Sequence, residues 1–157
     1  MKKNLKTEFT KRQFMFSEDF ELYYYSDCNP SKINSHTHNY YEFYLFLEGD
    51  IDIVIHKDKY KLKRGDMILV PPNVAHYPIR NSEKLYSRFV FWISENYFNK
   101  LSGVSKDYSY LIDYVKIKKE YIFHNDIITF NTIQSKILQI IEEMNSTLFA
   151  KKRKNMC

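Results

Sequence analysis

Apolar and polar positions alternate along this chain in a rhythm that changes character near residue 94. From Phe20 to Ile93 the apolar runs are short, aromatic and β-branched: Phe20–Ser26, Asn34–Glu48, Ile51–His56, Tyr60–Lys63, Met67–Val70, His76–Arg80 and Tyr86–Ile93. Turn-forming residues separate them, at Asn29-Pro30, Gly49-Asp50, Lys57-Asp58, Gly65-Asp66, Pro71-Pro72-Asn73 and Asn81-Ser82. Short strands with a turn after each predict a sandwich or barrel. Around Tyr41–Leu47 both faces are apolar, with Phe43, Leu45 and Leu47 projecting one way and Tyr44 and Phe46 the other. Such a strand needs cover on both sides, for example a barrel interior on one and a helix or second subunit on the other.

Beyond Ile93 the period loosens. Ser94–Leu101 reads as a short helix beginning at a serine cap, and Ser102–Asp126 as a weakly patterned connector. Asn131 and Gln134 resemble a capping box. Ile133, Ile137, Ile140, Ile141, Met144 and Leu148 then recur at helical spacing, with Glu142, Glu143 and Asn145 on the other side. That stripe fits either an amphipathic helix lying on its own barrel or a helix that pairs two copies into a dimer. Residues 1–19 are charged and without period, and read as an arm. The expected organisation is an arm at 1–19, a barrel at 20–93, a helical dimerisation segment at 94–150 and a basic linker stub at 151–157.

Composition narrows the function classes. The chain has 157 residues, the size of one domain, and carries 24 Lys and Arg against 19 Asp and Glu, a net charge of +5. Lys151, Lys152, Arg153 and Lys154 account for most of that excess, so residues 1–150 carry 20 basic against 19 acidic side chains. Only five of the basic residues are Arg, the side chain best shaped for forked phosphate or guanine contacts. Nucleic-acid binding by the folded body is therefore not expected. No apolar run is long enough to span a membrane, and the polar start lacks the apolar stretch of a secretion signal. Two cysteines, Cys28 and Cys157, make no disulfide framework, and a cytoplasmic location is the expectation.

The chemistry gathers in two blocks. His36, His38 and Glu42 are all even-numbered on one extended run, so their side chains share a face, and Gly49 closes that strand. The second block runs Gly65, Pro71-Pro72-Asn73, His76. Three of the five histidines and two of the three glycines fall inside these blocks. The pair resembles the two motifs of the cupin superfamily: HxH, a short gap, E, then G; and G, a gap, PxG, two residues, H. Three positions depart, with Pro30 and Asn73 where the motifs carry glycine and Arg80 where the second carries asparagine. Asn73 is the mildest, because Asn best replaces Gly in a left-handed turn.

The resemblance implies an all-β, cupin-type double-stranded β-helix (a jelly-roll barrel) with a C-terminal α-helical appendage. Over roughly residues 20–148 the chain is similar to the N-terminal sensor domain of AraC-type transcription regulators. That likeness implies a non-enzymatic protein that binds a small, sugar-like effector and dimerises through its late helix. It would control a DNA-binding module carried beyond Cys157, and contact DNA only through that module.

The expected ligand pocket is His36, His38, Glu42, Tyr44, His76 and Arg88, with Tyr40 and Phe46 on the same face. Arg88 or Arg80 would anchor an anionic ligand; each is also readable as an ordinary surface arginine. His56 and His124 read as surface residues without partners. In metal-binding cupins the positions matching His36, His38, Glu42 and His76 are the ligands. Three imidazoles and a carboxylate suit Fe, Mn, Ni or Zn, with positions left for substrate or dioxygen. AraC-type sensors often keep such residues as metal-free pocket lining, so no cofactor is required. The rival expectation is a cupin metalloenzyme, a dioxygenase or sugar isomerase, using that site.

Overall fold

The computed structural model describes residues 5–28 and 32–146. Eight strands and three α-helices follow in the order β1 (Phe20–Asp27), β2 (Tyr40–Glu48), β3 (Ile51–Ile55), β4 (Asp58–Lys61), β5 (Met67–Val70), β6 (His76–Arg80), β7 (Tyr86–Ser94), α1 (Glu95–Val104), α2 (Tyr110–Lys118), β8 (Ile122–Phe123) and α3 (Ile127–Met144). The strands form two antiparallel sheets, β1-β7-β2-β5-β8 and β4-β3-β6. The expected barrel-like fold with a C-terminal helical appendage is present in outline: the described residues are mainly sheet, in two antiparallel sheets that do not close into a hydrogen-bonded ring, and they include three α-helices. The sheet also extends past residue 93, because β8 pairs with β5 through Met67↔Phe123 and Ile68↔Ile122.

The predicted run Asn34–Glu48 joins the five-stranded sheet only from Tyr40. Upstream, His36 exchanges backbone hydrogen bonds with His76 of the smaller sheet, at 3.2 and 3.1 Å. The chain thus crosses from one sheet to the other between His36 and Tyr40. Asn73 sits in the turn before β6 at φ 65°, the left-handed conformation its place in the motif demands. Its N–H reaches the His38 carbonyl at 2.9 Å, which ties the two histidine blocks together.

Burial on both faces of β2 is observed. Tyr44 and Phe46 join the core cluster that holds Ile51, Ile53, Ile55 and Ile68. Leu45 and Leu47 join a second cluster under α3, with Leu22, Phe89, Phe130 and Ile141. Tyr41 packs on Phe98 of α1, ring centroids 4.3 Å apart. The outer cover is therefore the chain's own helices.

Helix α1 starts at the expected Ser94, whose hydroxyl accepts from the Tyr97 N–H at 3.2 Å. Helix α3 starts earlier than the Asn131 cap predicts: Asp126 caps it by accepting from the Thr129 N–H at 2.7 Å. Ile127 and Ile128 in its first turn are exposed, so the apolar period does not reveal that turn. The supposed connector contains α2 and β8. Ile133, Ile137, Ile141 and Met144 pack against the chain's own sheet, whereas Ile140 is 40% exposed; Leu148 and the basic stub lie outside the described residues. No helix among the described residues is long and apolar enough to cross a membrane.

The arm is laid against the sheets. The Thr7 N–H bonds the Tyr24 carbonyl at 2.8 Å, and the Phe9 ring meets Tyr25 edge-on at 5.3 Å. Arg12 binds the buried Glu21 at 2.9 Å. Alternation places Glu21, Tyr23 and Tyr25 on one face of β1, opposite Trp92, Val90 and Arg88 of β7.

Candidate functional site

Between the sheets three imidazoles converge. One ring nitrogen from each of His36, His38 and His76 lies within 4.8 Å of the others. His38 and His76 are buried, and His36 is half-buried. Each ring is held the same way, by a bond between Nδ1 and a nearby backbone carbonyl: Asn34 at 2.9 Å for His36, Tyr40 at 2.9 Å for His38 and Val74 at 2.8 Å for His76. A carbonyl only accepts, so each Nδ1 must carry the proton. Nε2 is then the nitrogen left to act at the site. Outer hydrogen bonds of this kind fix the tautomer and orientation of metal-binding histidines.

Glu42 completes the group. Its Oε2 lies 2.9 Å from His38 Nε2 and 3.6 Å from His76 Nε2, the second too long for a hydrogen bond. Burial alone would raise the Glu42 carboxyl, but His38 and His76 outweigh it and hold the group far below the usual carboxylate range. Burial alone would also lower His76; the facing Glu42 carboxylate reverses that and raises it. Burial keeps His36 below the usual imidazole range. Since His38 faces a carbonyl at one nitrogen and a carboxylate at the other, the His38–Glu42 pair holds a proton that a cation would displace.

The residues fit a divalent metal. Three neutral nitrogen donors and one carboxylate are a suitable donor set, and the buried His76 Nε2 has no hydrogen-bond partner among the described residues.

The same group walls a chamber of about 70 Å³. Of the expected pocket residues, His36, Glu42, Tyr44, His76 and Arg88 line it, while His38 stands behind Glu42 with its ring stacked on Tyr40 at 3.9 Å. Phe46 belongs to the surrounding core. Arg88 is not a surface arginine: it is 3% exposed, and its Nη1 meets Asp27 at 2.6 Å. His124 and His56 are exposed, as expected, but both have partners. Asp66 lies 2.8 Å from His124 Nδ1, and the Tyr121 hydroxyl lies 3.3 Å from His56 Nε2.

A cover of the ligand by residues 1–19 fits the sequence, but the pattern does not single out the arm residues that line the chamber, Phe9, Thr10, Arg12 and Gln13, nor Trp92. A signal for Arg88 and Trp92 was present. Tyr86, Arg88, Val90 and Trp92 share one parity, and the same two-residue alternation aims all four at the interior. The arm has no period, so nothing in its pattern announced that it is docked.

Residues 29–93 match the family model described as Cupin domain. No curated protein matches the chain. Among solved structures, a Cupin 2 conserved barrel domain protein from Salinispora arenicola is 16% identical, with TM-score 0.46 over 55% of this chain and 73% of that one. A cupin superfamily protein from Desulfitobacterium hafniense is 15% identical, with TM-score 0.45 over 54% and 75%. The plu4264 protein from Photorhabdus luminescens is 23% identical, with TM-score 0.46 over 55% and 72%. The family match spans both histidine blocks and supports a cupin domain over residues 29–93.

Proposed function

We propose that this chain is the ligand-sensing and dimerisation domain of an AraC-type transcription regulator, binding a small molecule between its sheets to control an attached DNA-binding module. One observation carries the reading: the arm residues Phe9, Thr10, Arg12 and Gln13 line the same chamber as His36, Glu42 and His76. A ligand there touches the arm and the sheets together, so its binding energy differs between docked and undocked arms, which is what coupling requires. The outer face of the same five-stranded sheet carries α3, the element proposed to transmit the change. Limited proteolysis tests this. A ligand that binds the chamber slows cleavage at Lys11 and Arg12, and unchanged cleavage at saturation contradicts the reading.

Dimerisation is assigned to the exposed edge of α3. Lys136, Gln139, Ile140, Glu143 and Met144 line a groove with Phe20. A second copy laid antiparallel across Ile140 brings Lys136 against the partner's Glu143, and the reciprocal pair forms by symmetry. Ile140→Asp yields monomers by light scattering without unfolding; an unchanged dimer places the interface elsewhere. Ile137 is unsuited to this test because it packs on its own sheet.

The second reading, a cupin metalloenzyme of the dioxygenase or sugar-isomerase type, is favoured by three histidine nitrogens within 4.8 Å of one another and by Glu42 beside two of them. His36, His38, His76 and Glu42 would hold Fe, Mn, Ni or Zn, which would supply Lewis acidity and open positions. Metal analysis of protein made in Fe- and Mn-supplemented medium separates the two readings. The sensor reading expects substoichiometric metal and an unchanged melting temperature after chelation. Stoichiometric metal whose removal unfolds the protein supports the enzyme.

A further inference from the structure

A second chamber of about 280 Å³ adjoins the histidine chamber. Phe9, Ile33, Pro78, Tyr86 and Arg88 line both, so the two meet at a largely apolar waist where Arg88 is the charged group. The charged residues lining the outer chamber are Lys32, Arg80 and Arg88, with one carboxylate, Asp27. Asp27 serves both arginines, at 2.6 Å from Arg88 Nη1 and 3.8 Å from Arg80 Nη1. Arg88 is held flat by rings: its guanidinium carbon lies 3.9 Å from the Tyr86 centroid, 4.7 Å from Phe9 and 5.1 Å from Tyr25. Its hydrogen bonds, to Asp27 and to the Tyr86 carbonyl at 3.0 Å, both leave from Nη1. Neither Nε nor Nη2 donates to a described residue, and on a side chain 3% exposed neither is a fully buried orphan, so both remain reachable from the chamber.

A guanidinium removed from water and sharing one carboxylate is incompletely compensated, and its planar fork matches an oxyanion. At the other end, Gln13 Oε1, Tyr44 OH, His76 Nε2 and Trp92 Nε1 are buried polar atoms of the histidine chamber with no partner among the described residues. They mix acceptors with donors, which hydroxyl groups satisfy because each both donates and accepts. We infer that the ligand is a small hydroxylated organic acid, its carboxylate on Arg88 with Arg80 and Lys32 nearby, and its hydroxyls at the histidine end. This rests on the ligand-sensing reading and adds the charge and polarity of what is sensed.

The sequence has one tryptophan, and Trp92 lines the histidine chamber, so its fluorescence reports binding to the full chain. Titrations pair each acid with a neutral twin: D-glucuronate with D-glucose, D-gluconate with D-glucitol, and L-lactate with propylene glycol. At least one acid binds, and its twin binds roughly 10- to 100-fold more weakly, the range lost with a charged hydrogen bond. Arg88→Lys, which keeps the charge but loses the fork, reduces that ratio. Arg80→Gln reduces it as well, and serves if the Arg88 variant fails to fold. Equal binding of acid and twin overturns the assignment, as does the absence of acid binding in the millimolar range or an undiminished ratio in both folded variants. A neutral polyol that binds alone and still slows arm proteolysis overturns the acid and leaves the sensor. An acid that binds without changing arm proteolysis supports the acid and removes the sensor.

Discussion

Glu21→Ala releases the arm while the two sheets stay folded. Glu21 is 4% exposed and accepts four hydrogen bonds: from Arg12 Nη2 at 2.9 Å, the Tyr23 hydroxyl at 2.5 Å, and the Phe16 and Ser17 amides at 2.8 and 3.4 Å. Removing one partner of a buried ion pair costs about 3–5 kcal/mol, because the other charge is left behind without compensation. Here the other charge can leave. Arg12 sits on the arm, packed over the Phe16 ring at 3.9 Å and the Trp92 ring at 5.1 Å, and undocking returns it to water. The cost is thus capped at the free energy of docking the arm. Cleavage at Lys11 and Arg12 becomes much faster and Trp92 emission shifts to the red, while the urea midpoint of the sheets changes little. Wild-type cleavage rates in the variant would show that the arm is held by something else.

Acid does the same to the wild type. Burial alone would raise the Glu21 carboxyl, but Tyr23, Arg12 and the two amides outweigh it and hold it below 4.5. A depressed carboxylate stabilises the docked arm fully above its unfolded pKa, and that contribution is lost as pH falls through the lower folded value. The arm therefore stays docked at neutral and mildly acidic pH and releases below the range in which a free glutamate titrates. Trp92 emission followed against pH checks this, and a red shift already complete at mildly acidic pH contradicts it.

Phe130→Ala loosens α3 and costs about 3–5 kcal/mol, the usual range for deleting a buried aromatic ring. Phe130 is 1% exposed and lies among Leu22, Leu45, Leu47, Phe89 and Ile141. Gly65, at φ +90°, lets the turn before β5 come down on it; a Cβ there would meet the ring at 3.2 Å. The Arg64 guanidinium covers the ring at 5.2 Å. Most helical stability in a folded protein comes from packing of the apolar face, so much of the order of α3 comes from this contact. Urea unfolding measures the loss, and amide exchange along residues 127–144 rises. A loss below about 1 kcal/mol would mean that α3 is anchored elsewhere.

Most of the strands were legible because short aromatic and β-branched runs are separated by turn residues, even where both faces are buried, as in β2 and β3. The spacing of His36, His38, Glu42 and His76 likewise brought together groups that the crossing between sheets does join. The exposed start of α3 was not legible, because Ile127 and Ile128 break the link between apolar character and burial. The packed side of the apolar stripe was equally hidden. Periodicity marks a covered face without saying whether the cover is the same chain or another, and here Ile137 and Ile141 face inward while Ile140 does not. Glu21 was obscured by the rule that charges lie outside, and the same rule left Arg88, although placed in the expected pocket, readable as a surface arginine. Each is buried beside a counter-charge, Asp27 from a distant strand for Arg88 and Arg12 from the neighbouring arm for Glu21.

In the proposed sensor, occupation of the chamber is felt by both the arm and α3. Hydrogen exchange on the full chain, with and without a saturating organic acid that binds the Arg88 chamber, reads both at once. Slower exchange is expected across residues 5–19, including the Thr7 amide on the Tyr24 carbonyl, together with a change along residues 127–144. Slower exchange confined to the strands around His76 and Arg88, with arm and helix unchanged at saturation, would contradict it.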